Sequence, residues 1–317
     1  MNYGDNGSAI HRAMTHFPTV SVVLVPIDGE SGTRGLEQLS RSLAAIESQS
    51  KDLPIEIIVP HGGSGGISDL GRAHPGVTFL NSPVSSSLAA SARAEELRAV
   101  AVRASRGEIV ILTEDHVCAD PDWLEQMVRA HEQKHAAVGG AIENGEDRWI
   151  NWATYFADLG RYHNPVAPES GFASVVNVSY KRAALDRVAA VWRTRFNETE
   201  VHAALTAAGE SIALSPQAIV RQHREVRLGN SLGEFFEWGR CYGRARASLV
   251  GAGRRFACLA ASPLIPGLLL LRSGVDVWRK RRLFEKWIQC LPLSIALNTA
   301  WAFGEAAGYL RPRADRS

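Results

Sequence analysis

Glu114, Asp115 and His116 stand in a row directly behind four aliphatics, Ile109 to Leu112. The aliphatic run reads as a short buried strand, and in open α/β sheets ligands bind outside the carboxyl ends of the strands. Two carboxylates and an imidazole at that place suit a hard divalent cation that carries phosphates. A charged, solvated turn between strand and helix is the plain alternative. Asp120-Pro121-Asp122-Trp123 follows and sets a capping Asp and a first-turn Pro ahead of an amphipathic helix.

The elements that would position this cluster alternate in kind. Residues 19–27 (TVSVVLVPI), 54–60 (PIEIIVP), 77–81 (VTFLN) and the run ending at Thr113 read as strands. Helical periodicity fills 36–49 and 88–105 between them, and a further helix is expected at 124–135. Strand character returns at 136–144 and, after a helix at 199–208, at 212–223. This alternation implies βαβ units with right-handed crossovers and a parallel sheet. After about residue 226 the strand signal stops. An aromatic and arginine-rich helix is expected over 231–250, followed by two uncharged apolar stretches, 256–271 and 287–304.

Composition narrows the classes. The 317 residues are 45% hydrophobic, enough for a sizeable core, and a net charge of +2 gives no bulk attraction to nucleic acid. Basic residues cluster after position 220 along the apolar helices, which is not the isolated positive face of a nucleic-acid module. Cys118, Cys241, Cys258 and Cys290 are widely spaced, form no CxxC or zinc pattern and read as inert core thiols. Residues 1–17 are expected to form a polar, disordered leader and not a signal peptide. A nicotinamide-binding site would need GxGxxG after the first strand, and that strand runs instead into Pro26-Ile27-Asp28-Gly29.

In this order, VSVVLVP, EIIV with a Gly/Ser turn, SRGEIVILTED and DPDWLEQMV resemble the family 2 glycosyltransferases of the GT-A fold, as do VVNVSYKRAAL (175–185) and FNETEVHAALTAAGESIALSPQAIVRQH (196–223). The resemblance covers roughly residues 19–225. It implies an α/β chain with a GT-A-type, Rossmann-like, mostly parallel sheet flanked by helices over 18–225; the C-terminal helical, membrane-associated region expected over 226–317 is read from its own apolar and basic residues. It also implies transfer of a sugar from a nucleotide-diphospho-sugar donor to an acceptor hydroxyl, with inversion and with Mg2+ or Mn2+.

Carried over residue by residue, the family's aspartate pair falls on Thr113 and Asp115, so Asp115 is the natural ligand of the metal–diphosphate, with Glu114 and His116 as helpers. The general base, counted back from Gly209, falls on Glu198, with Glu200 two residues on. Both acids also suit the first turn of a helix on dipole grounds alone. His223 matches the family's His after the last strand and is a second candidate metal ligand. The second strand of the family ends in acids that hold the nucleoside; here Pro60 and His61 stand there. Pro26, Asp28 and His61 are therefore the donor-side candidates. Asn177, Tyr180 and Lys181 are weaker candidates for the rim of the site. The Gln-x-x-Arg-Trp signature of processive polymerases is absent from the chain, which implies a non-processive enzyme. A GT-A module that binds a nucleotide sugar without turnover is the rival reading, and Thr113, Pro60 and His61 favour it.

The apolar stretches fall short of the roughly 20 residues that span a bilayer, and Pro263, Pro266 and Pro292 interrupt them. Arg272, Arg279, Lys280, Arg281, Arg282 and Lys286 lie in or beside their connection. A double crossing would put these charges opposite a cytosolic catalytic domain, against the positive-inside rule. Interfacial or re-entrant helices on the cytoplasmic face of the cell membrane are expected instead, serving a lipid-linked or saccharide acceptor of a cell-envelope glycan. The alternative is a cytoplasmic protein whose apolar helices pack as a core or dimer interface.

Overall fold

The computed structural model describes residues 20–27, 33–50, 53–63, 66–84, 88, 90–224 and 226–310. The expected leader and Asp28 lie outside them. The chain forms two compact units, residues 1–140 with 167–220 and residues 141–166 with 221–317.

In the first unit β1 (Val20–Val25), α1 (Thr33–Glu47), β2 (Ile55–His61), α2 (Ile67–Ala73), β3 (Val77–Asn81), α3 (Ala90–Ala104) and β4 (Ile109–Glu114) alternate, as the sequence predicts for all but α2. A short strand β5 (Val117–Ala119), α4 (Trp123–Ala130) and β6 (Ala137–Asn144) follow, the last running into the second unit, which then adds α5 (Trp149–Asp158). The chain returns through β7 (Asn177–Lys181), α6 (Arg182–Arg187), α7 (Ala189–Trp192), α8 (Glu198–Ala207) and β8 (Ile212–Gln222). The eight strands form one sheet in the order β3-β2-β1-β4-β7-β6-β8-β5.

Every residue of β1 and β4 is buried, which is what near-continuous aliphatic runs demand of central parallel strands. β1 pairs in parallel with β2 and β4, and β2 with β3. β7 then pairs antiparallel with both β4 and β6, so the sheet is mixed. β7 enters at the end where β4 finishes, since Asn177 faces Thr113. Residues 175–185 read only as a family segment in the sequence, and β7 within them is the strand that separates two parallel-trending neighbours. The short elements α2, β5 and α5 also lacked a clear periodic signal.

Beyond residue 226 the described residues are helical: α9 (Leu228–Leu249), α10 (Ala252–Ala261), α11 (Ile265–Lys280), α12 (Phe284–Gln289) and α13 (Leu291–Leu310). Pro263 stands in a 3-10 turn ahead of α11, Pro266 in the first turn of α11 and Pro292 at the start of α13. Proline is tolerated there because its missing N–H would have no helical partner. The run Ala252–Lys280 is long and apolar enough to cross a membrane by length and composition. Phe256, Leu264, Leu268, Leu271 and Trp278 are all exposed along it, Leu264 to 74%.

Not all the neighbouring basic residues face outward. Lys280 Nζ donates to the carbonyls of Arg161 (2.8 Å) and His163 (2.7 Å), and Arg282 donates to Glu143 Oε1 (3.0 Å) and the Asn164 carbonyl (2.8 Å). Lys286 pairs with Asp147 and lies over the Trp152 ring. The four cysteines are free, and only Cys290 is buried, so the expectation of four core thiols holds for that one.

Candidate functional site

The acidic cluster sits where β4 runs out. Asp115 is 1% exposed, its N–H donates to the Val25 carbonyl (3.2 Å), and its Oδ1 accepts from the Ile27 N–H (3.1 Å). Both bonds tie it to the end of β1, the parallel neighbour of β4. Its Oδ2 is buried without a hydrogen-bond partner among the described residues. A buried carboxylate oxygen left unsatisfied is costly unless something binds it. The Ser42 hydroxyl, from α1, lies within bonding reach of the Asp115 (2.8 Å) and Val117 (2.6 Å) carbonyls and fixes the turn from behind.

His116 bridges its two acidic neighbours: Nε2 is 3.4 Å from Glu114 Oε2 and Nδ1 is 3.8 Å from Asp115 Oδ1. Glu114 is engaged on its other side by Arg98 of α3, and both side chains are under a tenth exposed. Thr113, at the first position of the family's aspartate pair, spends its hydroxyl on the Val176 carbonyl (3.0 Å). It is a scaffold residue here.

Glu198 opens α8. Asn197 caps that helix, its Oδ1 accepting from Thr199 N (3.1 Å) and Glu200 N (3.2 Å), while its Nδ2 donates to Glu95 Oε1 of α3 (2.8 Å). A cap of this kind satisfies orphan N–H groups and sets where the helix starts. The first turn of α8 is thereby held against α3, and the Glu198 carboxyl comes under the influence of Arg98. Burial pushes the Glu198 carboxyl above its ordinary value; Arg98 opposes, and Glu114 and Glu95 push the same way as burial. Glu200, two residues on and so turned away from Glu198 on the helix, is exposed.

The structure thus brings together Glu114, Asp115, His116 and Glu198 through Arg98. The sequence reading missed Arg98, although a signal was present: Ala94, Ala101 and Val102 share its helical face and are buried with it, and a cation on an apolar face needs a partner. The other candidates are placed as follows. Pro26 is buried directly after β1. His61 is buried at the end of β2, where its Nδ1 accepts from the Gly63 N–H (3.2 Å). His223 belongs to the second unit and pairs through Nδ1 with Glu146 Oε1 (3.0 Å).

The three rim candidates are each bonded within the fold. Asn177 accepts from Trp123 Nε1 (2.8 Å) and donates to the Ala218 carbonyl (3.0 Å), the Tyr180 hydroxyl is 2.8 Å from His202 Nε2, and Lys181 donates to the Gln133 carbonyl (2.7 Å). Among the described residues no group of three or more His, Cys, Asp or Glu side chains is arranged to hold a metal ion. Asp115, with its open Oδ2, remains suited to be a single protein carboxylate on a cation whose other ligands come from phosphates and water, as is common for Mg2+.

The model of the family described as glycosyl transferase family 2 matches residues 23–189. No curated protein matches the chain. Among solved structures the chain is similar to the mannosyltransferase PcManGT from Pyrobaculum calidifontis in complex with GDP-Man and Mn2+, at 16% identity and a TM-score of 0.50, over 89% of this chain and 86% of that one. That likeness is one of fold: a mixed sheet flanked by helices, as the GT-A resemblance implies.

Proposed function

The chain belongs to glycosyl transferase family 2 and is a glycosyltransferase using a nucleotide sugar, and from that premise we propose an inverting, non-processive transfer to an acceptor hydroxyl at the cytoplasmic face of the membrane. The observation that carries the site assignment is Asp115: fully buried at the carboxyl end of β4 and tied to β1, yet with one carboxylate oxygen unsatisfied. Asp115 would hold a divalent cation, Mg2+ or Mn2+, which when bound offsets the charge that develops on the leaving diphosphate. Glu114 and His116 set the polarity beside it, and Pro26 and His61 form the donor-side wall.

Glu198 acts as the general base. The acceptor oxygen attacks the anomeric carbon, the bond from that carbon to the diphosphate oxygen breaks, and the acceptor proton passes to the Glu198 carboxylate. A single displacement inverts the anomeric centre. Arg98 is a positioning residue that keeps Glu198 ionisable in a desolvated place. Glu200, exposed beside it, has no part in this scheme.

Membrane placement rests on the exposed apolar side chains of α10 and α11, which suit an interfacial helix pair whose apolar face dips into the headgroup region. Lys280, Arg282 and Lys286 are engaged inside their own unit. The cationic flank toward lipid is therefore carried by Arg272, Arg279 and Arg281. A lipid-linked acceptor is consistent with that placement.

The test is release of nucleoside diphosphate from a panel of nucleotide sugars with and without Mn2+, beginning with GDP-mannose because the similar mannosyltransferase binds it with Mn2+. Asp115→Asn should weaken metal-dependent donor binding, and Glu198→Gln should leave donor binding intact while turnover falls by about 10²–10⁴-fold. Full activity in both variants overturns the residue assignment. Full-length protein should also pellet with membranes; a monodisperse, detergent-free protein that ignores anionic vesicles overturns the placement.

A further inference from the structure

The second unit contains an open cleft of about 540 Å3 between α5 with its following turn, α11 and α13. Its lining includes Leu268 and Leu271, both exposed, together with Arg161, Arg272 and Arg279. Two carboxylates share the cleft. Asp276 lies 3.4 Å from Lys280 Nζ and 3.9 Å from His163 Nδ1, so it has its own cation. With three arginines and two aspartates the lining keeps a positive excess.

Two further observations point to an anion. Burial lowers the Arg161 pKa; Tyr162 and Asp276 oppose, and the nearby Arg272 charge acts in the same sense as burial, so the two guanidiniums repel each other. An anion between them would relieve that repulsion, and planar guanidinium groups match phosphate oxygens in pairs. In the wall, Ser294 is 3% exposed, and its hydroxyl is buried without a hydrogen-bond partner among the described residues. An unsatisfied hydroxyl in the lining of a cationic cleft is a donor waiting for an acceptor oxygen.

We propose that this cleft binds the phosphate headgroup of an anionic membrane lipid, with its hydrocarbon chain laid along Leu268, Leu271 and the exposed Leu264. Phosphate accepts from Arg161, Arg272 and the Ser294 hydroxyl. The chain covers apolar surface that water otherwise meets. The site thus gives the second unit a headgroup preference that a merely greasy surface lacks. The inference rests on the membrane placement proposed above, and is independent of the donor chemistry.

The test uses full-length protein and monomeric, short-chain lipids, so that no surface potential intervenes. Dihexanoyl phosphatidic acid should raise the thermal midpoint, while dihexanoyl phosphatidylcholine and inorganic phosphate at the same concentration should not. Arg161→Gln with Arg272→Gln should weaken the phosphatidic acid effect about tenfold or more. The control pair Arg193→Gln and Arg254→Gln, both exposed and outside the cleft, removes the same charge elsewhere and should keep the effect. If the cleft pair fails to fold, Ser294→Ala decides: it removes an unsatisfied hydroxyl, should fold at least as well, and must still weaken the lipid effect. An equal shift from inorganic phosphate overturns the lipid as ligand. A shift untouched by the cleft substitutions, in protein that still binds phosphatidylcholine–phosphatidylglycerol vesicles, overturns the cleft alone. Protein that ignores those vesicles sinks the membrane placement and the proposal with it.

Discussion

Arg98, in the middle of α3, pairs with Glu114, the last residue of β4, and both side chains are under a tenth exposed. The pair joins a helix to the carboxyl end of a central strand, at the place where Asp115 and His116 begin. Breaking a buried pair by removing one partner typically costs about 3–5 kcal/mol, because the other charge stays buried. Arg98→Met should therefore lower the unfolding free energy from denaturant titration by that order. Removing both charges in Arg98→Met with Glu114→Leu should recover most of the loss. A double variant as unstable as the single one would show that the pair is not the source of the effect.

Arg98 also bears on the rate. Burial raises the Glu198 carboxyl and Arg98 is the leading influence in the other direction. A base acts only when ionised, so kcat/KM should climb with pH through a value above the ~4.3 of an ordinary glutamate, then level off. In Arg98→Met this acid limb should move to higher pH, since the opposing charge is gone. A limb that stays in place in Arg98→Met removes Glu198 from the base role or Arg98 from its surroundings; a Glu198→Gln profile with the limb intact singles out the former.

Two buried histidines make the first unit sensitive to acid for reasons unconnected with catalysis. His202, hydrogen-bonded to the Tyr180 hydroxyl, and His131, near the Ser179 hydroxyl (2.7 Å), are both pushed by burial from 6.5 down to about 4. A depressed folded value means the unfolded chain takes up the proton first as pH falls. The stability is then fully present above pH 6.5 and is lost between there and about 4, by roughly 3 kcal/mol per histidine at most. Urea unfolding at pH 7 and 4.5 measures this. His202→Leu should flatten the pH slope by about half, and an unchanged slope would mean that other groups cause it.

The sequence was most legible where one physical demand dominated. The aliphatic runs of β1, β2 and β4 could only be buried strands, and the acids after Thr113 could only lie at a carboxyl end. Asp115 and Glu198 were picked out by the family resemblance, motif by motif. What stayed hidden depended on partners far along the chain. Arg98 meets Glu114 16 residues away across a strand–helix packing. β7 carries no run of apolar residues, because Asn177 and Ser179 bond inside the sheet to Trp123, Ala218 and Val138. The basic residues around 280 looked like a membrane flank, yet Lys280 and Arg282 were already bound to backbone carbonyls and Glu143. Charge in a sequence shows sign and position, and only the fold shows which charges are already committed.

The same limit applies to glycine. α9 and α13 run in the same direction in close contact, with Gly304 against Phe236 and Arg240 and Gly308 against Arg240 and Arg244. A Cβ at Gly304 would strike the Phe236 carbonyl, and one at Gly239 or Gly243 the carbonyls of Trp301 or Glu305. The spacing of four on both helices is the small-xxx-small pattern that lets backbones approach closely. Glycine within a helix ordinarily costs about 0.5–1 kcal/mol relative to alanine, so Gly→Ala should stabilise unless the added methyl meets something that cannot move. At Gly233 in α9 nothing lies within 4 Å, and Gly233→Ala should raise the thermal midpoint. At Gly304 the obstacle is backbone, the helices must part, and overpacking of this kind costs about 1–3 kcal/mol. Gly304→Ala should therefore lower the midpoint despite its better helix propensity. Adding Gly308→Ala should cost less than it does alone, because the helices are already apart. Opposite signs at Gly233 and Gly304 are the expected result, and stabilisation at both would mean that the two helices do not touch through their glycines in solution.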